Sequence, residues 1–290
     1  MATSADPGPT RVAEAGRGEP EVLRLEGIGV RFGGIAALTD VSLAARAGEI
    51  LGIIGPIGAG KTTLFDVIAG VRAPDAGRVF LEGVDVSGVS AVGRSRSGLR
   101  RTFQRVQTFG WLSVEDNVLA ALEWRGGRGG FLADLVWFPP RRSLERERRR
   151  RVDEVLELCG LTSMRKESAG SLPIGIARIV ELARAIVDEP KLLLLDEPTS
   201  GLDRTEAARL GERVEAICHD TDASVLLVEH DMGFVMNTCD RIIVLDLGSV
   251  LATGSAQEIQ ANSAVRTAYL GDSKSSTDSQ VQVTTGGDHS

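Results

Sequence analysis

Short apolar runs alternate with amphipathic stretches along most of the chain. The runs "ILGII" at 50–54, "LLLL" at 192–195 and "SVLLV" at 224–228 carry almost no polar residue. Strands that are covered on both faces have this composition. The stretches "KTTLFDVIA" and "SLPIGIARIVELARA" have apolar residues at the helical period instead. The alternation predicts an α/β fold with a mainly parallel sheet in a three-layer arrangement.

Further strands are predicted on either side of these runs. "EVLRLEGIGVRF" and the beginning of "IAALTDVSLAARAGEILGIIGP" have strand patterns, with a turn near Ala47 and Gly48 before the buried run. "GRVFLEG" predicts another strand, and "RIIVLDLGSVLATG" predicts a hairpin. "AQEIQANSAVRTAYLG" predicts a pair of closing helices near the C-terminal end.

The segment from about 105 to 170 predicts a mostly helical insertion. "LSVEDNVLAALEW" places Ser113 at the N-cap of a helix and Asp116 near its third position. "SLERERRRRVDEVLELCGL" predicts a long charged helix. One face of that helix carries Val152, Val155, Leu156 and Cys159.

Composition narrows the class of protein. Aromatic residues make up 4% of the chain and the net charge is −7, so we do not expect a nucleic-acid binder, which needs clustered Lys and Arg. Cys159, Cys218 and Cys239 lack the spacing of a zinc site or a disulfide framework, which indicates a reducing, cytosolic setting. No run approaches the roughly 20 apolar residues of a transmembrane helix. Any membrane association is therefore expected to go through a partner.

A glycine-rich loop follows the first buried strand. "GPIGAGKTT" fits the pattern G-x-x-x-x-G-K-[ST] between a strand and a helix, which is the context that a phosphate-binding loop requires. Its backbone N–H groups and the helix N-terminus favour phosphate, Lys61 can reach the β- and γ-phosphates, and the Thr62 hydroxyl can ligate Mg²⁺. The residues expected to bind nucleotide here are Gly55, Pro56, Ile57, Gly58, Ala59, Gly60, Lys61, Thr62 and Thr63.

A second motif supplies acids. "KLLLLDE" is an apolar strand that ends in Asp196 and Glu197. Alone this pattern is common, but beside a phosphate loop it predicts that Asp196 holds the Mg²⁺ water shell and Glu197 polarises the attacking water.

Both motifs together resemble the ATP-binding subunits of ABC transporters, over residues 21–271. The resemblance implies a P-loop NTPase of the ABC-ATPase fold, with a RecA-like parallel-sheet core, an antiparallel β subdomain and a helical subdomain inserted at about 105–170. Residues 1–20 and 272–290 are polar and predicted to be disordered tails. Taken singly, an aromatic residue is more often part of the core. A single glutamine or histidine is more often a surface residue or a polar residue with its hydrogen bonds formed. The order of the motifs favours the functional interpretation.

The resemblance also assigns roles to single residues. Phe32 in "VRFGGIAAL" stands where an aromatic stacks on adenine. Gln104 in "RRTFQ" matches the glutamine that senses the γ-phosphate and Mg²⁺ and couples to the membrane domain. Asp203 in "TSGLD" is expected to face the dimer partner, and His230 in "VEHDM" matches the switch histidine that contacts the γ-phosphate.

Finer features are similar to importers of branched-chain, hydrophobic amino acids. They are "RFGGIAAL", the Arg-rich segment before "VLELCGL", "LPxG" at the signature, and "VRTAYLGD" near the end. This similarity implies a second ATPase subunit in a head-to-tail dimer, two transmembrane permease subunits and, indirectly, a solute-binding protein. The chain would be a peripheral protein on the cytoplasmic face of the plasma membrane. Related ATPases serve urea and amides, so the solute stays open.

The signature departs from the family pattern. The family's Leu-Ser-Gly-Gly-Gln is replaced by Leu172, Pro173, Ile174, Gly175 and Ile176. Proline removes a hydroxyl and a backbone donor, and the two isoleucines add no polar group. We therefore expect ATP binding, weaker closure around the nucleotide of the partner subunit, and a heterodimer with unequal sites. A soluble ABC protein and a non-hydrolysing scaffold subunit are the alternatives.

The Arg-rich stretch "RRSLERERRRR" allows two interpretations. A solvated helix face, neutralised in part by Glu145 and Glu147, is the simpler of the two. Contact with anionic lipid headgroups or with an acidic loop of a membrane subunit is the alternative. The apolar "FLADLVWFPP" beside it would suit a partner.

Overall fold

The computed structural model describes residues 20–102, 106–123 and 141–275, with side chains from 143 to 269 in the last range. Its strands are β1 (Glu21–Phe32), β2 (Ile35–Arg46), β3 (Ile50–Ile54), β4 (Ala76–Leu81), β5 (Val84–Asp85), β6 (Leu99–Arg101), β7 (Leu192–Asp196), β8 (Ser224–Val228), β9 (Arg241–Asp246) and β10 (Ser249–Gly254). Its helices are α1 (Lys61–Ala69), α2 (Ala91–Arg96), α3 (Val114–Glu123), α4 (Arg141–Leu158), α5 (Ile174–Ile186), α6 (Arg204–Asp220), α7 (Met232–Thr238), α8 (Ala256–Ala261) and α9 (Ser263–Ser275). Two short 3₁₀ turns lie at Thr162–Met164 and Ala169–Ser171.

The central sheet has the order β10-β9-β3-β8-β7-β6. The five strands from β9 to β6 are parallel, and β10 joins β9 as an antiparallel hairpin, as the sequence predicts. Alternate residues of β3, β7 and β8 enter two different cores. On one face Leu193 and Leu195 pack with helices α3 to α7, and on the other Leu192 and Leu194 pack with α1. The predicted parallel sheet, buried on both faces, is thereby confirmed.

A second, antiparallel sheet of order β2-β1-β4-β5 covers α1. β1 pairs with both neighbours, for example through Leu25 opposite Leu43 on β2 and Val79 on β4. The buried side chains of this sheet, α1 and the central sheet form one core. The layer that covers this face of the central sheet therefore consists of α1 and an antiparallel sheet, and not of helices alone. β1 ends at Phe32, one of the predicted site residues.

The helical segment between β6 and α5 starts as the sequence predicts. The Asp116 backbone N–H donates to Ser113 Oγ at 3.1 Å, which is the expected N-cap bond of α3. The predicted apolar face of α4 is buried in the core through Val152, Val155, Leu156 and Cys159. The bounds of the domain and of the helical insertion stay predictions. Of the predicted disordered tails at 1–20 and 272–290, residues 272–275 instead form the end of helix α9, and residues 1–19 and 276–290 lie outside the described residues.

Ion pairs run along the polar face of α4. Arg149 pairs with Glu145 at 2.9 Å, and Arg150 pairs with Glu147 and Glu154. These pairs are one helical turn apart and solvent-exposed, so they favour the interpretation of this stretch as a solvated helix face. The apolar segment "FLADLVWFPP" lies outside the described residues. No helix of the described ranges is long and apolar enough to cross a membrane.

Arg94 on α2 is a fully buried cation that closes the C-terminal end of α1. Its Nη1 donates to the carbonyls of Val67 at 2.6 Å and Ile68 at 2.8 Å, and its Nε donates to Val89 O at 3.0 Å. The last carbonyls of a helix have no partner within the helix, so this guanidinium satisfies them inside the core. Arg94 thereby fixes the far end of the helix that begins with Lys61.

We expect Arg94→Met to lower the free energy of unfolding by about 3 kcal/mol, because the carbonyls of Ile68 and Val89 lose the guanidinium donor in a buried place and Val67 O keeps only the Gly70 N–H. Arg96→Met is the matched control, since Arg96 lies on the same helix and is exposed. The control should stay within about 0.5 kcal/mol of the unchanged protein. Urea unfolding followed by circular dichroism measures both. Equal losses would contradict the capping role.

Candidate active site

The C-terminal ends of four neighbouring strands form one edge of the central sheet. Ile53 on β3 and Asp196 on β7 both stand opposite Val228 on β8, and Arg101 at the end of β6 stands opposite Leu194. Adjacent strands lie about 4.8 Å apart, so the residues that follow these positions are neighbours in space. Ligand sites of open parallel sheets lie at this edge.

The glycine-rich loop follows β3 and leads into α1. A Cβ on Gly55 would lie 2.2 Å from the backbone oxygen of Leu245 on β9, and Gly60 has φ of 99° as the N-cap of α1. Neither place accommodates a side chain, so both glycines are required by the backbone path. Ile57 at the tip is exposed, and Ala59 is buried under the loop. The loop presents the N-terminus of α1 to the edge of the sheet, as predicted.

Lys61 is folded back into this loop. Its Nζ donates to the carbonyls of Gly55 at 2.6 Å and Pro56 at 2.9 Å, and the side chain is buried. Burial lowers the pKa of Lys61, and the charge of Glu197 acts in the opposite direction. A desolvated ammonium in a ring of backbone groups binds an anion more strongly than the same group in water. Thr62 is exposed in the first turn of α1 and Thr63 is half-buried.

Asp196 ends β7 with its side chain only 15% exposed. Arg101 Nη2 donates to Asp196 Oδ2 at 2.7 Å, and Arg101 Nη1 donates to Asp66 Oδ1 on α1, also at 2.7 Å. One guanidinium therefore ties the strand of the acidic motif to the helix of the phosphate loop. Charge-assisted bonds of this length hold Asp196 in one orientation.

Glu197 and His230 meet at this edge. His230 Nε2 lies 3.1 Å from Glu197 Oε1, although the two residues belong to the loops after different strands. Glu197 has φ of 46°, in the left-handed region, and its backbone N–H donates to Val228 O at 2.9 Å. A strained backbone at a non-glycine residue occurs often at active sites, where it aims a side chain.

Phe32 lies at the end of β1 with half of its surface exposed. The Arg72 guanidinium stands 4.1 Å from the centre of the ring and donates to Arg31 O at 2.9 Å. A cation over one face of the ring leaves the other face for a flat ligand.

The signature stretch contacts the segment after β7. A Cβ on Gly175 would lie 2.8 Å from Glu206 Oε1, and the Ile174 side chain lies beside Gly201. Pro173 is the N-cap of α5 and provides no side-chain cap. Ile174 is 46% exposed, Leu172 and Ile176 are half-buried, and Gly175 is buried. None of the stretch's hydrogen bonds among the described residues goes to the phosphate loop of the same chain.

Asp203 caps α6 within its own chain. The Glu206 backbone N–H donates to Asp203 Oδ1 at 2.8 Å, and the Asp203 backbone N–H donates to Glu206 Oε2 at 3.1 Å. This capping box stabilises the start of the helix. Asp203 is exposed, so the structure leaves its predicted contact with a partner as a prediction.

Comparisons with known proteins agree with this geometry. The sequence profile of the family described as "ABC transporter" matches residues 38–200. The chain belongs to the ABC transporter ATP-binding family. It is 37% identical over 251 residues to the high-affinity branched-chain amino acid transport ATP-binding protein BraF of Pseudomonas aeruginosa, covering 87% of this chain and 98% of BraF. The high-affinity branched-chain amino acid transport ATP-binding protein LivG of Escherichia coli K12 is 36% identical over 251 residues, which cover 87% of this chain and 98% of LivG.

A solved ABC transporter cassette in its ADP conformation has the same fold. It superimposes with a TM-score of 0.73 at 29% identity, over 87% of this chain and 99% of that one. The expected ABC-ATPase fold is thus confirmed, with its parallel core, antiparallel sheet and helical part. A second profile, described as "Branched-chain amino acid ATP-binding cassette transporter", matches residues 249–274.

That C-terminal match reaches the phosphate loop through Tyr269 on α9. Burial raises the pKa of Tyr269 to about 12, and a hydrogen bond with the backbone of Gly55 acts in the opposite direction. Tyr269 lies in the subgroup stretch "VRTAYLGD", but no local pattern connects it with a loop more than 200 positions earlier. It ties the region typical of this subgroup to the ATPase site.

A groove lies beside Thr102, the last described residue before the predicted Gln104, which is itself outside the described residues. It has a volume of about 330 Å³ and lies between the end of β6 and helices α3 and α5. Its lining includes Thr102, Phe109, Glu181 and Arg184. Burial raises the pKa of Glu181, although its carboxylate accepts the Gln107 N–H at 3.2 Å. Trp111 stands next to Phe109, with ring centres 5.7 Å apart, and is 81% exposed.

The donors at the sheet edge suit Mg²⁺ bound together with a nucleotide. Thr62 supplies a hydroxyl and Asp196 a carboxylate with one oxygen, Oδ2, engaged by Arg101. Hard oxygen donors of this kind hold Mg²⁺ when phosphates and water complete the shell. The described residues contain no cluster of three or more His, Cys, Asp or Glu that would hold a metal alone.

Two other residues at this edge escaped sequence analysis. Arg101 precedes the predicted Gln104 by three positions, and Glu229 precedes His230 by one. A charged residue at the end of a strand is usually read as a surface residue. Only the register of the sheet reveals that both are enclosed.

Proposed function

We propose that this protein binds ATP with Mg²⁺ and hydrolyses it to energise the uptake of branched-chain or other hydrophobic amino acids. The approach of His230 Nε2 to Glu197 Oε1, at 3.1 Å beside the phosphate loop, carries the ATPase part of the proposal. A non-hydrolysing scaffold would not need a base and a histidine held together at the strand ends.

ATP would bind with its phosphates in the loop and its base against Phe32. Backbone N–H groups at the start of α1 and the Lys61 ammonium would bind the β- and γ-phosphates. Lys61 Nζ already lies against the carbonyls of Gly55 and Pro56, so its charge is held within the loop that would bind the phosphates. Adenine would stack on the face of Phe32 that Arg72 leaves open.

Hydrolysis would use Glu197 and His230. Glu197 would accept a hydrogen bond from the attacking water and so increase its nucleophilicity, and His230 would donate to a γ-phosphate oxygen. Mg²⁺, held by Thr62, Asp196 and Gln104 directly or through water, would supply positive charge to the β- and γ-phosphate oxygens. Arg101 would keep the Asp196 carboxylate in place throughout.

The working unit would be a head-to-tail dimer of ATPase subunits bound to two transmembrane permease subunits. Each signature stretch, with Asp203 nearby, would then face the phosphate loop of the other subunit. ATP binding would close the dimer and hydrolysis would reopen it. The chain would lie on the cytoplasmic face of the plasma membrane, held there by the permeases, with a solute-binding protein on the far side.

The groove beside Thr102 is where we expect a permease to dock. It combines apolar and aromatic lining with the charges of Glu181 and Arg184, which suits a short amphipathic helix. The Arg184 guanidinium lies 4.7 Å from the centre of the Phe109 ring, and Arg184 Nη1 donates to Gln107 O. Movement of this groove would reach the segment that contains Gln104.

The proposed solute rests on the subgroup features. The profile match at 249–274 and the likeness to BraF and LivG over 251 residues support branched-chain amino acids. Urea and amides are the alternative solutes. A soluble ABC protein without a transport role would not need the docking groove.

Uptake into vesicles tests the proposed function. The intact complex is reconstituted into vesicles with the ATPase subunits and ATP inside. Labelled leucine, valine, urea and acetamide are offered on the outside, together with the binding protein. We expect ATP-dependent uptake of leucine and valine, because the subgroup features predict apolar side chains on the solute. Lys61→Ala is expected to abolish this uptake, since the phosphates lose their buried cation.

Uptake of urea or acetamide alone would replace the proposed solute while leaving the ATPase assignment intact. Unchanged leucine uptake by the Lys61→Ala complex would contradict the ATPase site itself.

The signature stretch generates a second prediction, for the dimer. Restoring Pro173→Ser, Ile174→Gly and Ile176→Gln together should raise ATP turnover of the intact complex by about tenfold or more. A hydrogen bond to charged phosphate is worth about 1.5–3 kcal/mol, and the present stretch has only backbone donors to provide it. Steady-state ATPase assays measure the change.

The asymmetry of the two sites has its own check. If the partner carries an ordinary signature, Glu197→Gln in this chain should reduce turnover more than the matching change in the partner subunit. If the restored complex is no faster and both Glu→Gln changes have equal effects, the two sites are equivalent and the signature is fully competent.

A further inference from the structure

Glu229 is a buried carboxylate between the last apolar residue of β8 and His230. It is 3% exposed, and no Lys, Arg or His of the described ranges forms an ion pair with it. A buried charge without an opposite charge is stable only when hydrogen bonds satisfy it. The groups that donate to Glu229 therefore show what this residue holds.

Each carboxylate oxygen of Glu229 accepts hydrogen bonds from a different loop. Oε1 accepts the backbone N–H of Thr199 at 2.7 Å and the Thr199 hydroxyl at 2.6 Å. Oε2 accepts the backbone N–H of His230 at 2.9 Å and that of Asp231 at 3.4 Å. Thr199 lies two residues after Glu197, so the carboxylate connects the loop of Glu197 with the loop of His230.

We propose that Glu229 is a positioning residue that sets the distance between Glu197 and His230, with Thr199 as its counterpart. The inference rests on the proposed roles of Glu197 and His230. The strand register ends at Asp196 and Val228, and beyond it the backbone bonds between the strands are those from the Glu197 N–H to Val228 O and from the Glu229 N–H to Ile53 O. Beyond the strand ends, the two loops are joined by the Glu229 clamp. We define this clamp as Glu229 and its donors on Thr199, His230 and Asp231.

The conformation of Glu197 makes this restraint necessary. Its left-handed backbone, with φ of 46°, has a cost that the surroundings must offset. The Glu197 N–H bonds to Val228 O, and the Ser200 N–H bonds back to Glu197 O at 3.1 Å. The clamp anchors Thr199 between these two bonds, so the turn that aims Glu197 cannot relax without breaking bonds to Glu229.

Loss of the clamp should affect the chemical step and not ATP binding. Most of the contacts expected for the phosphates come from Lys61 and the loop after β3, whose hydrogen bonds among the described residues do not involve Glu229, and only the contact from His230 depends on the clamp. The intact complex carrying Glu229→Gln should show a kcat lower by at least about tenfold, because the amide presents N–H groups to the donors of His230 and Asp231. KM and the Kd for ATP measured by equilibrium binding should stay close to the unchanged protein.

Two further comparisons separate positioning from stability. Thr199→Val removes one hydroxyl and should lower kcat, while Thr199→Ser retains it and should restore the rate. Glu49→Gln is the matched control, since Glu49 is also buried and hydrogen-bonded, to Arg46 and Arg241 at the other end of β3. This control should leave kcat unchanged even if unfolding becomes easier.

A mutant cycle decides the inference through single-turnover rates. On the His230→Ala background, Glu229→Gln should lower the rate by a smaller factor than in the unchanged complex, because one member of the Glu197–His230 pair is already lost. Independent, multiplying losses would overturn the inference, as would an unchanged kcat for both Glu229→Gln and Thr199→Val. If the Glu229→Gln protein does not fold, Thr199→Val and Thr199→Ser are each combined with His230→Ala instead, and their rates decide the inference. Normal hydrolysis by Glu197→Gln and by His230→Ala would instead refute the proposed function.

Discussion

The parallel ladder between β3, β8 and β7 is the constraint on which the active site depends. Ile53, Val228 and Asp196 lie in one row, so the three loops that follow must start side by side. Those loops carry the phosphate-binding residues, the Glu229–His230 pair and Glu197. Few other placements would bring a buried lysine, a carboxylate and an imidazole from three distant parts of the chain to one edge.

The charges at this edge form a connected set. Lys61 is enclosed by the carbonyls of its own loop, and Arg101 bridges the carboxylates of Asp66 and Asp196. Glu229 is balanced by hydrogen bonds alone among the described residues. The site therefore has its hydrogen-bond donors and acceptors oriented before a nucleotide arrives, which reduces the reorganisation that catalysis would otherwise require.

Much of this arrangement follows from local sequence signals. The helix at Lys61, the strands at Ile50 and Leu192, and the N-cap at Ser113 are all where the patterns predict them, because each depends on neighbours within one turn or one strand. The Asp203 capping box is equally local, yet the resemblance to a family drew attention to a partner instead. The assigned roles of Phe32, Gln104, Glu197 and His230 stay predictions.

The parts that sequence analysis missed depend on long-range register. Arg101, Glu229 and Tyr269 meet partners that lie between 30 and more than 200 positions away. No periodicity shows which strand end will be adjacent to which. The antiparallel sheet over α1 likewise came from the family resemblance and not from the apolar pattern of its strands.

The fate of ATP on the Glu197→Gln complex tests the central claim most directly. The complex is mixed with ATP and Mg²⁺, passed rapidly through a gel-filtration column, and the retained nucleotide is identified. The amide keeps the shape of the side chain and loses its basicity, so ATP should be retained uncleaved in a closed dimer. Release of ADP and phosphate at the rate of the unchanged complex would contradict an active site built on the ends of β3, β7 and β8.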